Sequence, residues 1–202
     1  MTCTAPASHP PAAACPAGAG RPRRRLVLAG VGAGASALLM PLLALPTRAL
    51  ADAGGERSLA LHHTHTGERL AATFAAGGRW LPQALAVLDR FLRDHYSGAV
   101  GRMDAQLFEQ LHALQTRLGS GAAFEVISAY RSPHTNEQLR RRGGGGVARG
   151  SLHLQGRAID VRLPGVPLAE LRDAALDLRA GGVGYYARER FVHLDTGRPR
   201  SW

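Results

Sequence analysis

Two short segments in the last quarter of the 202-residue sequence constrain the fold more than any other feature. Ala158-Ile-Asp-Val-Arg162 and Arg190-Phe-Val-His-Leu-Asp195 both alternate apolar and polar residues. A side-chain period of two is that of a half-buried β-strand. Ile159, Val161, Val192 and Leu194 therefore face a core, while Asp160 in one segment and Phe191, His193 and Asp195 in the other take the opposite face. If the strands share a sheet, Asp160 and His193 open into one cleft, and His153 reaches it from the preceding loop. Two imidazoles and a carboxylate can hold one metal ion. Three protein ligands leave a fourth position for water, the arrangement of catalytic zinc sites. Spacing alone leaves a rival reading open, in which these are ordinary hydrogen-bonded polar groups.

The wider motif is more specific. Ser151-Leu-His-Leu-Gln-Gly-Arg-Ala-Ile-Asp160, preceded by Ser128-Ala-Tyr-Arg-Ser-Pro133, resembles the zinc peptidases grouped with D-Ala-D-Ala peptidases, lysostaphin and the Hedgehog signalling domain. Gly181-Gly-Val-Gly-Tyr-Tyr186, followed by Phe191-Val-His-Leu-Asp-Thr-Gly197, narrows the resemblance to the exported murein endopeptidase K-like branch, over Arg57 to Trp202. The resemblance implies zinc held by His153, Asp160 and His193, with Arg131 steadying the substrate oxyanion and Ser151 beside the substrate. It also implies an α+β fold, a Hedgehog/D-Ala-D-Ala-peptidase-like antiparallel sheet with packed helices. Zinc lowers the pKa of a bound water to about 7. A fixed guanidinium beside the developing oxyanion is worth about 3 kcal/mol of barrier.

The general base departs from the family pattern. Many relatives carry Glu, Asp or His two or three residues before the last zinc histidine, where this chain has Phe191 and Arg190. By strand parity Glu189 and Asp195 share the face of His193, so either is a candidate base, with Asp195 preferred. Asp195 could instead orient a zinc histidine. The expected activity is zinc-dependent hydrolysis of amide bonds in peptidoglycan stem peptides, chiefly cross-links. Two alternatives stand beside it: a D-alanyl carboxypeptidase using the same site, and a non-hydrolytic cell-wall-binding module, since Hedgehog-type relatives keep zinc without evident peptidase work.

The first 51 residues read as an export signal ahead of a zinc peptidase domain over 52–202. They contain no acid and run from Pro22-Arg-Arg-Arg-Leu-Val-Leu28 through an apolar stretch to Ala49-Leu-Ala51. Paired arginines before a Gly- and Ala-rich core indicate the twin-arginine route. The rival is an uncleaved anchor, through which alone the chain would touch a membrane. Cleavage after Ala51 removes Cys3 and Cys15, so any zinc must use nitrogen and oxygen ligands. Net charge falls from +10 to +5, because five arginines and no acids leave. With 25 basic residues, all Arg, composition fits a GC-rich genome better than nucleic-acid recognition, and the residual charge favours an anionic polymer such as peptidoglycan in the periplasm or cell envelope. Oligomeric state is not encoded in any recognisable pattern.

Elsewhere, Ser58–His63 and Arg69–Phe74 alternate as a hairpin around Thr66-Gly67, with His62, His63 and His65 expected on its surface. Leucine stripes after Pro82 and after Asp104 predict two core-facing helices, with His95 and His112 at or within them. Phe124–Tyr130 predicts a strand, Ser132-Pro133 a capped helix, and Gly143–Gly146 a flexible joint. Pro167–Ala180 predicts another helix ended by Gly181-Gly182, before a last hairpin around Ala187–Glu189.

Overall fold

The computed structural model describes residues 55–142 and 148–202. The expected export signal and the Gly143–Gly146 joint lie outside the described residues. Along the chain run β1 (Arg57–His63), β2 (Arg69–Ala76), β3 (Arg79–Trp80), α1 (Pro82–Phe91), α2 (Ala105–Arg117) and β4 (Phe124–Ser128). There follow α3 (Pro133–Arg142), a 3-10 turn (Leu152–Gln155), β5 (Ala158–Arg162), α4 (Leu168–Leu178), β6 (Gly182–Tyr186), β7 (Phe191–Asp195) and β8 (Arg200–Ser201). The strands form one sheet in the order β3-β2-β1-β4-β5-β7-β6-β8. The fold is α+β.

The sheet is mixed, which corrects the expectation of an antiparallel one. β1 runs parallel to β4, and β6 parallel to β8. The first parallel pair follows from the connection. After β2 and β3 the chain crosses through α1 and α2 before β4, and a crossover of that length can return it in the starting direction. The remaining pairs are antiparallel, including β5 with β7.

Alternation decides which face is buried. Leu59, Leu61, Val126, Ile159, Val161, Val192 and Leu194 join Leu88, Leu107, Phe108, Leu111, Leu114 and Leu171 of the helices in one core. Each such side chain contributes about 1.5–3 kcal/mol when fully buried. α1 starts with Pro82 in its first turn, where a missing N–H costs nothing. The Asp104 side chain caps α2 by accepting the Gln106 N–H at 3.0 Å. α4 stops sooner than the sequence predicts. Arg179 takes the left-handed conformation, φ 50°, and closes the helix before the glycine pair.

His63 is a second correction. It lies on the same strand face as Leu59 and Leu61 and is fully buried, so it belongs to the interior side of the hairpin rather than its surface. Its ring packs edge-on to Phe91 and His95, and the His65 ring stacks on His95 at 4.2 Å between centroids.

Candidate metal centre and cleft

Pairing of β5 with β7 puts Asp160 directly opposite His193. Both point away from the core because Ile159, Val161, Val192 and Leu194 point into it. The 3-10 turn supplies His153, whose backbone carbonyl accepts the Arg131 N–H at 3.1 Å and thereby ties the turn to the end of β4. Gly156 closes the turn at φ 65°, with no room for a side chain against the Arg102 carbonyl.

Three potential ligand atoms converge. His153 Nε2 lies 3.3 Å from His193 Nδ1 and 3.3 Å from Asp160 Oδ2, and His193 Nδ1 lies 2.8 Å from Asp160 Oδ1. Donors bound to one tetrahedral zinc by bonds of about 2.0–2.1 Å stand about 3.3 Å apart, a spacing that the two histidine nitrogens and the His153 Nε2–Asp160 Oδ2 pair match, while His193 Nδ1 lies closer to Asp160 Oδ1. The outer nitrogens are also committed. His153 Nδ1–H donates to the Ala129 carbonyl at 2.6 Å, and His193 Nε2–H donates to Asp195 Oδ2 at 3.2 Å. Each bond leaves the inner nitrogen its lone pair, which is how metal-binding histidines are oriented. The donor set of two imidazoles and one carboxylate fits zinc.

Electrostatics bind the cluster together. Burial would raise the Asp160 pKa, but the facing imidazoles of His153 and His193 hold it well below the usual carboxylate range. Burial would lower the His193 pKa, but the Asp160 and Asp195 carboxylates on its two nitrogens raise it to about 9. Metal binding would take that proton's place.

The cleft is lined by Arg131, Ser151, Tyr186, Phe191, Arg200 and Trp202 around these three residues and Asp195. Among the described residues the Arg131 guanidinium hydrogen-bonds to two neutral oxygens, Asn136 Oδ1 and Ser128 Oγ, each at 3.4 Å. Among the described residues it has no carboxylate partner, so its charge faces the cleft uncompensated. Ser151 stands just before the 3-10 turn, on the rim beside His153.

The two candidate bases differ sharply in placement. Glu189 lies in the exposed turn between β6 and β7, where Arg190 at φ 61° interrupts the strand, and it does not line the cleft. Asp195 does line it but is fully buried and saturated. Its Oδ1 accepts the N–H groups of Gly182 and Gly197 at 2.9 and 2.8 Å and an Arg200 N–H at 3.1 Å. Its Oδ2 accepts from Arg200 at 2.6 Å and from His193. Burial would raise its pKa, but His193, Arg200 and the two backbone donors hold it below the ordinary range.

Sequence reasoning missed Arg200 and Trp202. A two-residue strand carries no periodic signal, and only the parallel pairing of β8 with β6 brings them beside His193.

This buried, charge-coupled His-Asp-His cluster sits in an open cleft, and comparison with known proteins places the chain among the peptidases. The chain belongs to the Peptidase_M15_2 family, described as peptidoglycan L,D-endopeptidase MepK, whose model matches residues 51–202. It is 42% identical over 180 residues to peptidoglycan L,D-endopeptidase MepK of Escherichia coli K12, covering 89% of this chain and 96% of that one. It is 41% identical over 181 residues to the probable peptidoglycan L,D-endopeptidase MepK of Haemophilus influenzae, covering 89% and 94%.

Proposed function

We propose that this protein is an exported, zinc-dependent endopeptidase that cleaves cross-links between peptidoglycan stem peptides, with the L,D bond preference named for its relatives. The convergence of His153 Nε2, Asp160 and His193 Nδ1 carries the reading. When bound, zinc would supply Lewis acidity to water and to the amide carbonyl. The likeness of fold to the Hedgehog and D-Ala-D-Ala peptidase group belongs to the same reading, as does export to the periplasm on a twin-arginine signal over residues 1–51. No helix among the described residues is long and apolar enough to cross a membrane.

The remaining residues divide the work. Arg131, with no carboxylate partner among the described residues, brings its charge to where the carbonyl oxygen becomes negative, and Ser151 binds the peptide beside His153. Asp195 keeps the His193 ring in one tautomer and one orientation. Its saturated, depressed carboxylate makes it a positioning residue rather than the base, and Glu189 stands outside the cleft. Arg131→Ala should lower turnover about 100-fold, near 3 kcal/mol of barrier, with bound zinc unchanged. Normal turnover would remove Arg131 from the mechanism.

One observation favours a second reading, a non-hydrolytic wall-binding module. Among the described residues, the cleft's two carboxylates are Asp160 and Asp195, and both are engaged. Mass spectrometry of muropeptides from purified sacculi separates the readings, run with zinc, with chelator and with His193→Ala. Loss of cross-linked dimers only in the zinc-loaded wild type establishes the endopeptidase. Loss of terminal D-alanine instead means a carboxypeptidase, and unchanged muropeptides with zinc bound favour the binding module.

A further inference from the structure

Beside the metal cluster the cleft has an aromatic wall that nothing above uses. Tyr186 and Phe191 are cross-strand neighbours on β6 and β7, with rings stacked at 4.5 Å. Trp202 follows β8. Its backbone is fixed to β6, with its carbonyl accepting the Tyr185 N–H at 3.0 Å and its N–H donating to Val183 at 3.3 Å. Its indole lies over Gly184, the residue opposite His193, where an added Cβ would come within 2.7 Å of the ring. The Arg200 guanidinium sits 4.8 Å from the indole and the His193 ring 5.2 Å. A missing side chain, a cation and a strand pairing thus hold one large ring that is still 50% exposed. Fixing an exposed aromatic at this cost is expected where it meets a ligand.

The polar end of the wall is directional. Indole Nε1–H can only donate, and it lies 2.9 Å from the Tyr186 hydroxyl oxygen. The oxygen must therefore accept, and the phenolic proton is turned away from Trp202. Among the described residues no acceptor takes that proton.

We propose that Tyr186 donates this hydrogen bond to the bound stem peptide, and that Trp202 both aims the phenol and forms an apolar platform for the peptide's methylene groups. This rests on the cross-link endopeptidase reading. Tyr186 is then a substrate-contacting residue; Trp202 contacts the peptide through its ring and positions Tyr186 through its N–H, and Trp202→Phe, which keeps a ring, isolates the positioning role.

The test measures kcat, KM and bound zinc for the mature, zinc-loaded protein on purified cross-linked muropeptides. Tyr186→Phe removes only the hydroxyl and should lower kcat/KM about tenfold, the worth of one well-placed hydrogen bond, with zinc content unchanged. Trp202→Phe keeps a ring but removes the N–H, and should fall in the same direction. Because Trp202 works through Tyr186, the double variant should match Tyr186→Phe within about twofold rather than multiply the losses. Gly184→Ala displaces the indole, and in a Trp80→Phe background it should shift the fluorescence of the remaining tryptophan and raise KM.

Wild-type kcat and KM for Tyr186→Phe, or independent multiplicative losses, would overturn the proposal. Should the wild type itself fail to cleave, the endopeptidase reading fails separately. Quenching of Trp202 fluorescence by muropeptide, weakened about tenfold by Tyr186→Phe, would then support the wall as a binding site. Absence of quenching would sink it.

Discussion

At the scale of single residues, Asp195 shows how surroundings assign a role that residue type leaves open. Parity places it on the cleft face, and a carboxylate two residues from a candidate metal-binding histidine is a natural candidate for a base. Five hydrogen bonds at its two oxygens leave no lone pair suitably placed for a proton from water. The two roles predict different kinetics. If Asp195 orients His193, Asp195→Asn should weaken zinc binding about 10–100-fold in competition with a chromophoric chelator, and saturating metal should restore most of the rate. Unchanged zinc affinity with a deep loss of kcat at full occupancy would make it the base after all. No sequence pattern discloses this saturation, because two of the donors are backbone N–H groups and two come from Arg200.

At the scale of elements, the pattern that reads well is the one dictated by burial. β5 and β7 are legible because each has one face in the core, which forces alternation, and the starts of α1, at Pro82, and of α2, capped by Asp104, are legible for equally local reasons. Endings are less so. α4 ends on Arg179 in a left-handed conformation, which its residue type does not advertise. The turn after His153 can be tested directly. Gly156 combines φ 65° with close approach to the Arg102 carbonyl, and its own carbonyl accepts the Asp104 N–H at 2.8 Å. Gly156→Ala should cost about 2–4 kcal/mol of unfolding free energy, read from urea denaturation, and should weaken metal binding as His153 shifts. A loss below about 0.5 kcal/mol would mean that the turn relaxes freely.

At the scale of the whole molecule, His63 links folding to pH. Burial first, then the nearby His65 and Arg93, lower its pKa from 6.5 to about 4 in the folded chain. Its Nε2 has no hydrogen-bond partner among the described residues. Since the folded pKa is depressed, the unfolded chain binds the extra proton more readily. The stabilising contribution is present above pH 6.5 and is lost as pH falls toward 4. Between pH 7 and 5 this histidine should account for about 2 kcal/mol of lost stability. His63→Leu should flatten that slope in denaturant titrations, and an unaltered slope would assign it to other groups. The parity that buries His63 beside Leu59 and Leu61 was present in the sequence, but a cluster of three histidines near a turn reads as surface unless the strand face is followed through. By itself the sequence determined the alternating strands, the helix starts and the shared face of Asp160 and His193, because local burial and strand parity fix which way a side chain points; His153 joined them only through the motif's resemblance to zinc peptidases. Only the tertiary structure decided that the sheet is mixed, that Asp195 is saturated, and that Arg200 and Trp202 wall the cleft. Those facts depend on pairings between distant segments, whose energies come from contacts that no local stretch of sequence contains.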